Sequence, residues 1–198
     1  MQTSLAIKEP GLNVLPPGVE RYIVNAGGIT GIQIFPDDEI QIINNEGNQI
    51  CEINSFDKNG NSELGLLNLK ENKNSSEIKK ILFKREESSM QALLQLNKRN
   101  LKIEKAKSAI LFDKNTKAGE KIILKSKDKC YCIFAAPADD MLVHDQNPPS
   151  DLTIIIKRAK IKKNDKEFSL IPDPIYDPDH EVNIDRKTAN GYQVKAGD

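Results

Sequence analysis

The chain has no tryptophan and few other aromatics, four Tyr and six Phe, or 5% of its 198 residues. At 38% hydrophobic and 29% charged it sits on the polar side of globular composition, outside the disordered class. It has no excess of either charge, with 29 Lys+Arg against 29 Asp+Glu. A nucleic-acid or anionic-membrane partner therefore gets no electrostatic support. No apolar run approaches the roughly 18 residues that a membrane span needs. The opening MQTSLAIKEPGLNVLPPG lacks a basic stretch followed by an apolar one, so no signal peptide is expected. Three cysteines, an odd number, do not make a secreted disulfide framework. These absences together lead us to expect a cytoplasmic protein.

What is present is a β pattern. Residues 1–19, with Pro10, Pro16 and Pro17, read as an extended lead-in. From Glu20 the segments RYIV, IQIF, EIQII and NQICEIN alternate like strands, and PDD and NNEG between them read as hairpin turns. Residues 57–74 are a polar, turn-rich excursion. A helical block comes next, in which Ile78, Ile81 and Leu82 form one apolar stripe and Met90, Leu93, Leu94 and Leu96 a second. Ser75–Ser76 and Ser88–Ser89 are expected to cap the two helices. Strand patterns return in SAILF, EKIILK, CYCIFAAP and DLTIIIKRA. The expected fold is mainly β, an antiparallel barrel or sandwich-like domain over residues 20–160 with a short two-helix insertion.

After that domain, residues 161–188 carry Pro172, Pro174 and Pro178 and read as a linker. The end, GYQVKAGD at 191–198, repeats GIQIFPDD at 31–38 with Gly, Gln and the final Asp identical. TKAGEKIIL at 116–124 is a looser third case. We therefore expect residues 189–198 to be the first strand of a second, related domain, and the chain to be a fragment.

Several groups could carry chemistry. Cys130 and Cys132 share one face of a strand, and with Cys51 and His144 they are candidate zinc ligands; His180, in the linker, is the least suited. The alternative is that the cysteines are small core hydrophobes. In MLVHDQNPPSDLT, His144, Asp145, Gln146 and Asn147 could bind a polar ligand, His144 being able to titrate near neutrality. The same stretch also reads as a structural loop in which Ser150 and Asp151 tie down the next strand. Gln49, after the Glu46-Gly47-Asn48 turn, could reach a ligand or its own loop. NAGGITG lacks the Lys-Ser/Thr ending of a phosphate loop, and no G-x-S-x-G or S-x-x-K motif occurs. The charge-dense KKILFKREES and KIEKAKS read as solvated faces.

The stretch DDEIQIINNEGNQICEINSFD resembles the "G-D-x-I-x-I-x-D-x-x-G-x-Q-x-x-D" core of the urea carboxylase-associated domain family, a domain of unknown function. This chain has Glu52 where that core ends in Asp. The block from SAILF to IIIKRA, with AAP-x-x-x-M and QNPPSDLT, is similar to β domains that precede glycine-cleavage T-protein-like aminomethyltransferases in fusion proteins. The resemblance implies an accessory binding or assembly domain of an amine or one-carbon enzyme, with no catalysis of its own. Its partners would be C-terminal domains of the same polypeptide and a small nitrogen-containing ligand, for which Gln49, Glu52, His144, Asp145, Gln146 and Asn147 are the candidate contacts. It implies no cofactor in this segment other than candidate zinc, folate belonging to a C-terminal module absent here. The alternative it implies is a metal-assisted hydrolase or deiminase of small urea- or guanidine-type compounds.

Overall fold

The computed structural model describes residues 15–72, 76–84, 86–138 and 148–160, and the backbone of 175–176. Eight strands form two antiparallel sheets. They are β1 (Val19–Val24), β2 (Ile29–Ile34), β3 (Glu39–Asn44), β4 (Cys51–Phe56), β5 (Ser108–Phe112), β6 (Glu120–Lys125), β7 (Cys130–Ala135) and β8 (Leu152–Lys157). One sheet has the order β1-β8-β3-β6. The other has β5-β4-β7-β2, extended at the β2 edge by the two-residue β9 (Ile175–Tyr176).

The pairings obey one rule. β1 pairs β8, β2 pairs β7, β3 pairs β6 and β4 pairs β5. The chain is thus one long antiparallel ribbon, rolled so that successive pairs fall in alternate sheets. The contacts β3–β8 and β4–β7 complete each sheet. This is jelly-roll connectivity, and of the two expected forms it is the sandwich, since the sheets do not close into a barrel.

The expected hairpins at PDD and NNEG are corrected by this topology. β2, β3 and β4 are not paired to one another, and both turns carry the chain across from one sheet to the other. The turn chemistry itself holds, with positive φ at Asp37, Gly47 and Asn48. Such residues reverse the chain but do not choose its partner strand.

Strand patterning explains the layers. β3 alternates buried and half-buried residues, sending Ile40 and Ile42 between the sheets. They meet Ile32, Ile34, Ile53, Phe134, Ile154 and Ile156 there. β4 and β7 are buried on both faces, because the helical insertion covers the outside of their sheet.

That insertion holds α1 (Glu77–Leu82) and α2 (Glu87–Lys98). Ile78, Ile81 and Leu82 are buried as their spacing predicts. In α2 the outcome differs: Ser88, Ser89, Ala92 and Leu96 face inward, while Met90 and Leu94 are 51% and 61% exposed. Small side chains let the helix lie close on the sheet. Ser88 and Ser89 sit inside α2, and the Ser76 side chain makes no capping bond, so neither expected cap forms at the described residues. Before α1, the polar excursion contains a 3₁₀ turn, Leu64–Leu67, that buries Leu64 and Leu67 in the inter-sheet core. No helix among the described residues is long and apolar enough to cross a membrane.

Candidate functional site

Of the expected ligand-binding side chains, Gln49 lies at one end of the sandwich, where β3 crosses to β4. Asn44, at the end of β3, is fully buried. Its amide accepts from Gly47 N at 3.0 Å and donates to Gln49 O at 2.7 Å, fixing the crossover. The turn itself needs glycine: Gly47 has φ +83°, and a Cβ there would lie 2.7 Å from Ala118 N.

Gln49 is 5% exposed, and its amide is used on both sides. Nε2 donates to Pro137 O at 3.0 Å, and Oε1 accepts from Ser150 N at 2.8 Å. One side chain therefore holds together the two ends of the stretch running from β7 toward β8. Asp151 ties the same end to the β1–β2 turn, accepting from Ala26 N at 2.9 Å. Asn45 donates to Asp151 O and to Thr153 Oγ1, both at 3.1 Å. The four residues expected to face a ligand here, His144, Asp145, Gln146 and Asn147, lie outside the described residues, as does His180.

Glu52 comes next on β4 and points to the helix side. It is fully buried. Oε2 accepts the Glu77 N–H at 2.8 Å, doing for α1 what the expected serine cap does not. Oε1 has no hydrogen-bond partner. Asn54, two residues along the same face, is alike: Nδ2 donates to Lys107 O and Ser108 Oγ, and Oδ1 is unpartnered. Two buried acceptors thus stand unsatisfied under the helices, a costly arrangement for a folded chain.

All three cysteines are free thiols in the inter-sheet core. Cys130 and Cys132 touch, with sulfurs 3.8 Å apart, and Ser126 Oγ lies 3.3 Å from the Cys130 sulfur. The hydrogen bond from the Cys132 thiol lowers the Cys130 pKa, and Ser126 adds to this against the opposing effect of burial. The same bond, with burial, pushes Cys132 up. Burial, reinforced by the Glu52 charge, pushes Cys51 up as well.

Cys51 does not join the pair. Cys132 faces Ser55, four residues along β4 from Cys51, which is about 13 Å at roughly 3.3 Å per residue. Among the described residues no group of three His, Cys, Asp or Glu side chains is set to hold a metal ion.

One constellation has no counterpart among the sequence expectations. Arg158, just past β8, is 6% exposed in its side chain. Its guanidinium donates to Asp38 Oδ2 at 2.7 Å, Glu20 Oε2 at 2.5 Å and Gln33 O at 2.9 Å. Asp38 also accepts from Phe35 N and Ala159 N, each at 2.9 Å. Part of the signal was in the repeat: Asp38 is one of the three residues that GIQIFPDD shares with GYQVKAGD, whereas Gln33 contributes only its backbone carbonyl.

The fold and this end-of-sandwich geometry define a jelly-roll β domain whose described polar groups are largely engaged with one another. No family model matches the chain. It is 33% identical over 193 residues to a trimethylamine-oxide aldolase of Ruegeria pomeroyi, a match covering 98% of this chain and 24% of that protein. The chain thus spans about a quarter of the length of the curated relative it matches. That relative is an enzyme acting on an amine oxide; the likeness to a urea carboxylase-associated domain has no family match behind it.

Proposed function

We propose that this chain is a binding or assembly β domain of a larger amine-metabolism enzyme, with no catalytic step of its own. The observation that carries the reading is the alignment: nearly the whole chain corresponds to only a quarter of a trimethylamine-oxide aldolase. The site supports it. Gln49, the expected ligand-facing amide, is occupied by Pro137 and Ser150. Arg158, a buried cation, is neutralised by Glu20 and Asp38. Folate and one-carbon chemistry belong, on this reading, to other parts of the polypeptide.

The test is a pair of measurements. The 198-residue chain is incubated with trimethylamine oxide, and separately with urea- and guanidine-type compounds, and loss of each is monitored by NMR. No turnover is expected. The matched segment of the R. pomeroyi aldolase is then replaced by this chain, and the chimaera is compared with the same enzyme lacking the segment. The reading expects the chimaera to recover soluble assembly and activity. Turnover by the isolated chain would overturn it in favour of a self-contained enzyme.

A further inference from the structure

The helices cover only one sheet. No helix among the described residues covers the other sheet's outer face, and the register gives its residues. Across the strands run Arg21, Ile155, Gln41 and Ile123, and beside them Ile23, Thr153, Ile43 and Lys121. The alternate residues of these strands fill the inter-sheet core. Ile23 and Ile123 are 38% and 55% exposed, and Ile43 and Ile155 are half-buried between them. Four isoleucines on a solvent face are out of keeping with antiparallel sheets, which normally place polar residues there.

On the strands of this face the charges have one sign left over. Lys157 pairs with Glu39 at 2.6 Å, and Lys125 with Asp37 at 3.1 Å. Arg21 and Lys121 stand at diagonally opposite corners, on the two edge strands, with no ion pair among the described residues. We propose that this face docks another domain of the same polypeptide, one presenting an apolar centre flanked by carboxylates. The proposal rests on the reading above that the chain is part of a larger enzyme.

Area argues for a tethered partner. Four strands about 4.8 Å apart and six residues long give a face of about 400 Å². That is half of the roughly 800 Å² per partner of a free-standing complex, whereas the about 800 Å² that two such faces bury together lies in the range of contacts between domains of one chain, roughly 600–1,500 Å². A covalent tether supplies the missing affinity through effective concentration.

Lysine acetylation footprinting tests this on the polypeptide purified from its natural source and on the 198-residue chain. Lys121 reports on the face, and Lys98, on α2, is the control. We expect Lys121 to be modified about fivefold more slowly in the natural polypeptide, as a tethered contact held closed most of the time requires, with Lys98 unchanged. Ile123→Asp should bring Lys121 back to the rate of the isolated chain while leaving that chain's melting temperature unaltered. Equal Lys121 rates in a natural polypeptide that carries further domains would overturn the docking and leave the larger-enzyme reading standing. A natural polypeptide no larger than this chain would overturn both. Protection of Lys121 in the isolated chain that grows with protein concentration would assign the face to a second copy and overturn the proposal.

Discussion

Replacing Arg158 by alanine should destabilise the domain by about 3 kcal/mol, the lower end of the range for removing one partner of a buried ion pair. The lower end applies because neither acid is left wholly unsupported. Asp38 keeps its bonds from Phe35 N and Ala159 N. Glu20 is 19% exposed, so water can reach it, and it keeps the Tyr22 hydroxyl at 2.8 Å. What is lost is the counter-charge to a 2% exposed Asp38 side chain, the donor to Gln33 O, and the guanidinium's packing 5.4 Å from the centre of the Phe35 ring. In a domain of this size about 3 kcal/mol corresponds to a fall in Tm of roughly 6–12 °C. Urea unfolding monitored by far-ultraviolet circular dichroism measures it, since the chain has no tryptophan to report. Combining Arg158→Met with Asp38→Asn should cost less than the two single changes summed, by about 1–3 kcal/mol. A loss under about 1 kcal/mol for Arg158→Ala, as for a solvent-exposed pair, or strict additivity of the double change, would refute the reasoning.

Gly60 has φ +75°, and a Cβ there would lie 2.0 Å from Asn100 O; Gly60→Ala should therefore cost about 2–4 kcal/mol from backbone strain and the clash together. Hydrogen exchange should show the loss at the end of α2, where Lys102 N donates to Gly60 O at 2.9 Å. Glu52→Gln keeps an acceptor for Glu77 N and removes a buried charge with one unpartnered oxygen, so urea unfolding should show a gain of about 1 kcal/mol; a loss of that size would mean that the charge has a bound counterpart. Cys51 has its pKa raised above the ordinary 9.0 by burial, so it stabilises fully below pH 9 and the contribution is lost as pH rises and the unfolded chain ionises. The difference in stability between the natural chain and Cys51→Ala should change above pH 9 by about 1.4 kcal/mol per pH unit, and a pH-independent difference would sink this account.

Where the sequence was legible, the signal was local. β5 and β6 fall on SAILF and EKIILK, and Ile78, Ile81 and Leu82 face the core as their period requires. Pairing was not legible, because turn residues such as Asp37 and Asn48 look the same whether the next strand lies alongside or across the sandwich. The stripe Met90 and Leu94 misleads for a related reason: periodicity finds a face, and the sheet beneath α2 decides that the small face of Ser89 and Ala92 is the buried one. At the site, turn chemistry singles out Gln49, while its partners, Pro137 and Ser150, are 88 and 101 residues away. Arg158 and Glu20 are 138 residues apart and carry no motif at all.

The rolled ribbon has a consequence for how such a unit sits in a longer chain. Its outermost pair sets Val19 opposite Lys157, and Arg158 N donates to Gly18 O at 2.8 Å. The eight-stranded ribbon therefore begins and ends at a single corner, like a loop pulled from a thread, before the chain returns as β9 to the edge of the other sheet. Its incoming and outgoing segments start out side by side, whichever sequence fills the space between. Such a module can be gained, lost or exchanged without moving its flanks apart, and its own folding leaves their spacing nearly fixed.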